Sequence, residues 1–199
     1  MSLTLETGKK LLRQIVGGSG SWSGTLTPYL ALSSTEPYHA PDPETGSYNV
    51  TEPVAGTSYA RVALGNQYFG TQATGKTDPE TGKYVITIAN DQEIHFPEAL
   101  QDWGEFTHFA IFESRQGTAP IYVGELDSYT EVEVTAQTFD ELVQSGLYIK
   151  TDTETGIVYV KVEVGDTFDP EAIYAEKKLT VKGGTVPLVR SGYLKISVE

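Results

Sequence analysis

The sequence predicts an all-β fold: an antiparallel β-sandwich of jelly-roll-like type with a short amphipathic helix at its N-terminus. Three observations point there. About ten to twelve short segments alternate apolar and polar residues and are split by Gly, Pro and Asp turns. Twelve Tyr and twenty Gly against a single Met lean towards strands and turns. The third is the stretch Trp103–Glu113. Phe106, His108, Ala110 and Phe112 point one way and Thr107, Phe109 and Ile111 the other, so a strand apolar on both faces should be covered on both sides.

Leu3–Val16 is the best helix candidate. Leu5, Leu12, Ile15 and Val16 share a stripe with Leu11 at its edge; Ser2 or Thr4 caps the start, and Gly17-Gly18 stops it. This helix either closes one end of the β core or docks on a neighbouring subunit, in which case Leu5, Leu12, Ile15 and Val16 are the docking residues. Ser19–Gly24 is a Gly/Ser linker carrying Trp22. In Leu26–Leu32, Pro28 restricts the strand to an edge or to a start at the proline. Ser33–Thr57, with Pro37, Pro41, Pro43 and Pro53, reads as a long surface loop suited to recognition. Strands are expected at Ser58–Leu64, Tyr84–Ala89, Glu93–Phe96, Phe106–Glu113, Ile121–Leu126 and Glu131–Thr135. A helical turn at Phe139–Gln144 precedes Leu147–Lys150, Ile157–Val164, Lys178–Lys182 and Gly192–Val198.

One motif recurs. Asp42-Pro43-Glu44-Thr45-Gly46 and Asp78-Pro79-Glu80-Thr81-Gly82 are identical, and Asp152-Thr153-Glu154-Thr155-Gly156 is close. Pro presets φ, Asp bonds to nearby backbone and Gly takes the positive φ that closes a hairpin, so these are turns. Calcium is the weaker reading, because no EF-hand loop is matched.

Composition narrows the function. A formal charge of −13 without a basic patch opposes nucleic acid binding. No apolar run approaches the ~18 residues of a membrane span, and the N-terminal stretch is not a signal-peptide core. The absence of Cys removes disulfides, thiolate metal sites and cysteine nucleophiles. His39, His95 and His108 show no zinc spacing; Glu93 beside His95 would be needed for a site, and a histidine bonded to backbone is the plainer reading. There is no serine-hydrolase elbow, Walker sequence or dinucleotide fingerprint. Glu93, Glu98, Asp102 and Glu105 cluster around the central strand, where a glycosidase pair is weighed against an acidic solvated surface. We expect no catalytic residue, no cofactor and no metal. Exposed aromatic residues, Trp22, Tyr38 and Tyr48 foremost with Tyr68, are the candidates for surface recognition, of sugars or of proteins.

The ordered set of an N-terminal helix ending in Gly17-Gly18, Tyr29–Pro37, Glu52-Pro53, Thr57–Val62, Ile94–Pro97, Trp103-Gly104, Thr107–Phe112 and Ser191–Val198 resembles a family of small tailed-bacteriophage virion proteins. That family is named for phage tail fibres and is similar to the mycobacteriophage Gp80 group. The likeness covers roughly residues 1–130 and 178–199. An extra segment, about 131–177, is then an inserted hairpin or subdomain in the β-sandwich of residues 19–199, with residues 1–18 as the helix. The resemblance implies a non-enzymatic structural part of the virion, tail or head fibre-like or a capsid decoration, assembled in the host cytoplasm. Its partners would be other virion proteins and further copies of itself, a trimer in a fibre. The competing readings are a carbohydrate-binding module for adsorption to a host-surface glycan and a glycan-degrading enzyme.

Overall fold

A computed structural model describes residue 12 and residues 27–54, 56–69, 73–79, 81–151 and 159–198. The described residues form fifteen strands in five antiparallel sheets and one complete helix, of ten residues; Leu12 is helical as well. The larger sheet contains β1 (Tyr29–Ser33), β2 (Val62–Ala63), β7 (His108–Phe112) and β8 (Pro120–Glu125), in the order β2-β1-β7-β8. Opposite it lie β3 (Thr74–Thr77), β4 (Tyr84–Ala89) and β15 (Lys195–Val198), in the order β15-β4-β3. The main core fills the space between, with Leu30, Leu32, Phe109 and Ile111 from one sheet and Ile86, Ile88 and Ile196 from the other. Two short ribbons, β5 (Ile94–His95) with β14 (Leu188–Val189) and β6 (Gly104–Phe106) with β13 (Leu179–Val181), contribute Ile94, Phe106 and Val181.

β7 is covered on both faces, as its composition requires. Leu30 pairs with Ile111 and Leu32 with Phe109 on the main-core side, while Ala31 pairs with Ala110 on the other. There Ala31, Ala110 and Phe112 form a second, smaller cluster against Val50 and Val123. Pro28 stands just before β1 and its carbonyl accepts from Leu64 N–H at 2.7 Å, so the proline begins a central strand and does not mark an edge.

The expected run Phe106–Glu113 is broken at Thr107. The Thr107 N–H donates to the Ser33 carbonyl at 3.2 Å and its carbonyl accepts from Leu126 at 2.8 Å, between a strand paired with β13 and one paired with β1 and β8. That interruption shifts the phase: Phe106 shares the main core with Phe109 and Ile111, not the face of Ala110 and Phe112. The run Ser58–Leu64 shrinks to β2 because Ser58 has φ 67° and the Tyr59 and Arg61 side chains are engaged with the loop before them.

Both described copies of the repeated motif are turns. Asp42 Oδ1 accepts from the N–H groups of Glu44 (3.0 Å) and Thr45 (2.8 Å), and the Gly46 N–H returns to the Asp42 carbonyl at 2.8 Å. Between β3 and β4, Asp78 Oδ1 likewise accepts from Thr81 N–H (3.0 Å) and the Gly82 N–H returns to the Asp78 carbonyl at 2.9 Å, and both glycines have φ 68°. The third copy lies outside the described residues.

Residues 130–176 build a second sheet: β9 (Thr130–Val132), β10 (Tyr148–Thr151), β11 (Tyr159–Lys161) and β12 (Ile173–Glu176), in the order β11-β10-β12-β9. The helical turn expected at Phe139–Gln144 is a full helix, α1 (Ala136–Ser145), entered at Thr135 and closed by Gly146 at φ 67°. Its Phe139 and Val143, four residues apart and so on one face, are buried with Val162 and Tyr174. Phe139, Phe168 and Tyr174 meet with ring centroids 5.5–5.7 Å apart, and among the described residues this core draws on Val132 to Tyr174.

Candidate interaction surfaces

The loop between β1 and β2 is a two-legged flap with its own bonds. Ser34 N–H reaches Thr51 O (2.9 Å), Tyr38 N–H reaches Tyr48 O (2.8 Å) and Asp42 N–H reaches Ser47 O (2.8 Å), so the legs run side by side to the Asp42 turn. The base is stitched by Ser33 and Thr35. Thr35 Oγ1 donates to Asn49 O at 2.5 Å, and the buried Ser33 Oγ accepts from Thr51 N–H at 3.1 Å.

A charged clasp anchors the flap to the sheet. Arg61 donates to Glu52 through Nε (3.0 Å) and its terminal nitrogen (2.5 Å), and reaches the Gly117 carbonyl at 2.8 Å. Its guanidinium lies 3.6 Å from the centroid of the Phe112 ring. The Tyr59 hydroxyl donates to Glu52 at 2.9 Å and accepts from Leu32 N–H at 3.1 Å. Burial, followed by the Glu52 charge, pushes the Tyr59 phenol far above its ordinary range. The clasp bonds within the chain: Glu52 accepts from Arg61 and Tyr59, and Arg61 also reaches the Gly117 carbonyl.

Of the sequence-predicted recognition residues, Tyr38 is exposed and Tyr48 half-buried, and the flap brings the two together across its legs. Trp22, Leu5, Ile15 and Val16 lie outside the described residues. Leu12 is helical and completely buried in the main core, and the rest of the helix expected at Leu3–Val16 lies outside the described residues. Tyr68 packs against the same core.

Three of the four acids in the cluster have separate partners. Glu93 pairs with His95 at 3.3 Å on the surface, and Glu105 with Lys178 at 2.9 Å. Asp102 accepts from Gly183 N–H at 2.8 Å and from Lys182 at 3.3 Å, and its carboxyl is held below the usual range by the Gly183 bond first and the lysine second. His108 Nδ1 is 2.8 Å from Thr107 Oγ1, and His39 is exposed. Among the described residues no three His, Asp or Glu side chains form a metal site, and no helix is long and apolar enough to cross a membrane.

Sequence reasoning missed the joint between the two sheets. Lys178 is almost buried where the second sheet returns to the body, between Glu105 on β6 and Glu176 on β12. Burial alone would lower its ammonium; the bonds to Glu176 and Glu105 outweigh that and raise it. Lys177 pairs with Glu125 at 2.8 Å, and Thr130 Oγ1 donates to the Lys178 carbonyl at 2.9 Å. Beyond the joint, an open groove of about 350 Å³ runs along β9, lined by Glu131, Glu133, Phe168, Pro170 and Ile173 among others.

No curated protein matches the chain. The family model described as "Podophage GP4 fiber I protein gp80" matches residues 2–141. The match takes in the flap, the clasp and the two-sided strand β7, and stops within α1; residues 178–199, also read as part of the resemblance, fall outside it. With more than half of its length matched by that model, the chain belongs to this phage fibre family.

Proposed function

We propose that the chain is a non-enzymatic building block of a tailed-phage virion, fibre-like and held in place by contacts with other virion proteins and with copies of itself. The family match over residues 2–141 carries this reading, since a fibre family is one of structural virion components. The engagement of Glu93, Asp102, Glu105, His95 and His108 with partners of their own supports a structural role. Residues 131–177 form an appended subdomain in this reading, set apart by their own sheet and core. The test is mass spectrometry of gradient-purified virions, in which the chain should be present in many copies; particles without it would end the proposal. Cryo-electron microscopy of the particle would then distinguish tail, head fibre and capsid decoration.

A second reading, adsorption to a host-surface glycan, is supported by the pairing of Tyr38 with Tyr48 on the exposed flap. Aromatic faces held on a surface hairpin suit stacking on pyranose rings. It predicts that Tyr48→Ala or Trp22→Ala weakens binding to host cell-wall glycan, and it fails if the intact chain binds no host cells.

A further inference from the structure

Three segments distant in sequence are laced together in the body. Ser58 Oγ donates to the Glu98 carbonyl at 2.8 Å and accepts from Leu100 N–H at 3.0 Å, which joins the foot of the flap to residues 98–100. Ala99 N–H reaches Thr185 O at 2.8 Å, Gly184 N–H reaches Ala99 O at 2.6 Å, and Phe96 N–H reaches Pro187 O at 2.9 Å. Each segment carries large apolar side chains that face water: Val54 is 76% exposed, Leu100 77%, Val186 47% and Leu188 43%. Close by in the chain Phe96, Ala99 and Trp103 are buried.

We propose that Val54, Leu100, Val186 and Leu188 form one patch that binds a second copy of this chain. The inference rests on the reading of the chain as an assembling virion component. Charge selects the occupant. Residues 54–58, 96–101 and 183–189 hold a single charged side chain, Glu98, in a chain with 27 Asp and Glu and a net charge of −13. Two identical acidic bodies repel over most of their surfaces and meet at least cost where acid is scarce. Around this centre Asp102 is paired with Lys182 within the chain and Glu93 bonds to His95, as in the polar rim of an interface. Size agrees: the four side chains expose on the order of 300–400 Å², the range of a large functional patch. A standard interface covers about 800 Å² per partner, rather more than half of it apolar, so the quartet supplies much of the apolar centre.

The experiment is sedimentation velocity on the purified full chain over micromolar concentrations, with circular dichroism to confirm folding. Wild type should self-associate. Leu100→Glu with Val186→Glu should weaken that association at least about tenfold. Val164→Glu, at an equally exposed position outside the patch, should leave it unchanged. If the charged variant does not fold, Val54→Thr with Leu100→Gln replaces it and should still weaken association. A wild-type monomer, an oligomer indifferent to the patch variants, or association only with a different virion protein would each overturn the proposal. A monomer found in many copies in purified virions would sink this patch while leaving the structural role intact.

Discussion

Asn90 ties the C-terminal strand to the body, and replacing it with Ala should be among the most damaging single changes in the chain. It is 1% exposed and follows β4 directly. Its side-chain nitrogen donates to the carbonyls of Gln92 and Arg190, each at 2.8 Å, and its oxygen accepts from Leu194 N–H at 2.8 Å. Alanine leaves two carbonyls and one amide without these partners in a site walled by Leu194 and Phe69. At a little over 1 kcal/mol for each orphaned group, the loss is about 4 kcal/mol. A domain of this size shifts by roughly 2–4 °C per kcal/mol, so the melting temperature should fall by about 8–16 °C. Asn90→Asp sharpens the test. It keeps the acceptor for Leu194 but sets a carboxylate against two carbonyls, and should cost at least as much as alanine at neutral pH. Thermal melts and urea titrations followed by circular dichroism measure both. A loss below about 1 kcal/mol for alanine, or wild-type stability for Asn90→Asp, would refute the claim that this amide holds the strand.

Arg61→Ala should cost about 3 kcal/mol, because it strands a largely buried Glu52 and removes the stacking on Phe112; urea unfolding reads it, and a salt-insensitive loss near zero would make the clasp a mere surface pair. Tyr59 predicts an alkaline transition. Its phenol is raised above the ordinary 10.0, so the folded state holds the proton more tightly; the stability it contributes is complete below about pH 10 and is lost as pH rises beyond. Melts from neutral to strongly alkaline pH should show that fall in wild type and a smaller one in Tyr59→Phe. Gly124→Ala should destabilise by about 1–3 kcal/mol, since an added Cβ would stand 2.7 Å from the Phe109 ring that covers this glycine across β7 and β8; an unchanged melting temperature would show that the ring moves freely.

Much of the architecture was legible because alternation and burial agree. β4, β8 and β10 fall where the period of two places them, and the two-sided pattern of β7 matches a strand between two cores; β1, read as an edge or a start at Pro28, is its central neighbour. The phase of Phe106 was lost at Thr107, since a kink held by bonds to Ser33 and Leu126 leaves no mark on the local pattern. β3, written Thr-Gly-Lys-Thr and exposed at all four positions, is a strand only because the Asp78 turn folds it onto β4. The extent of α1 is legible from Thr135, Phe139, Val143 and Gly146 taken together, a cap, an i, i+4 apolar pair and a glycine stop. The register of the flap left no mark on the local pattern: the Tyr38 N–H to Tyr48 carbonyl bond joins two legs without regular strands, and the bonds that tie Ser58, residues 96–100 and residues 184–187 together span some forty to ninety residues. Lys178 was unreadable as a joint because its partners lie on different sheets.

The path of the chain around Thr130 and Lys178 has an evolutionary corollary. The polypeptide leaves the trunk and comes back at adjoining points, with Thr130 bonded to the Lys178 carbonyl and Thr180 Oγ1 3.3 Å from Thr130 Oγ1. An outgrowth whose two stems already touch asks little of its host for closure, whatever length or sequence lies between them. Exchange of that segment for another would therefore leave the strand pairings of the trunk in place, a route by which such a chain can diversify.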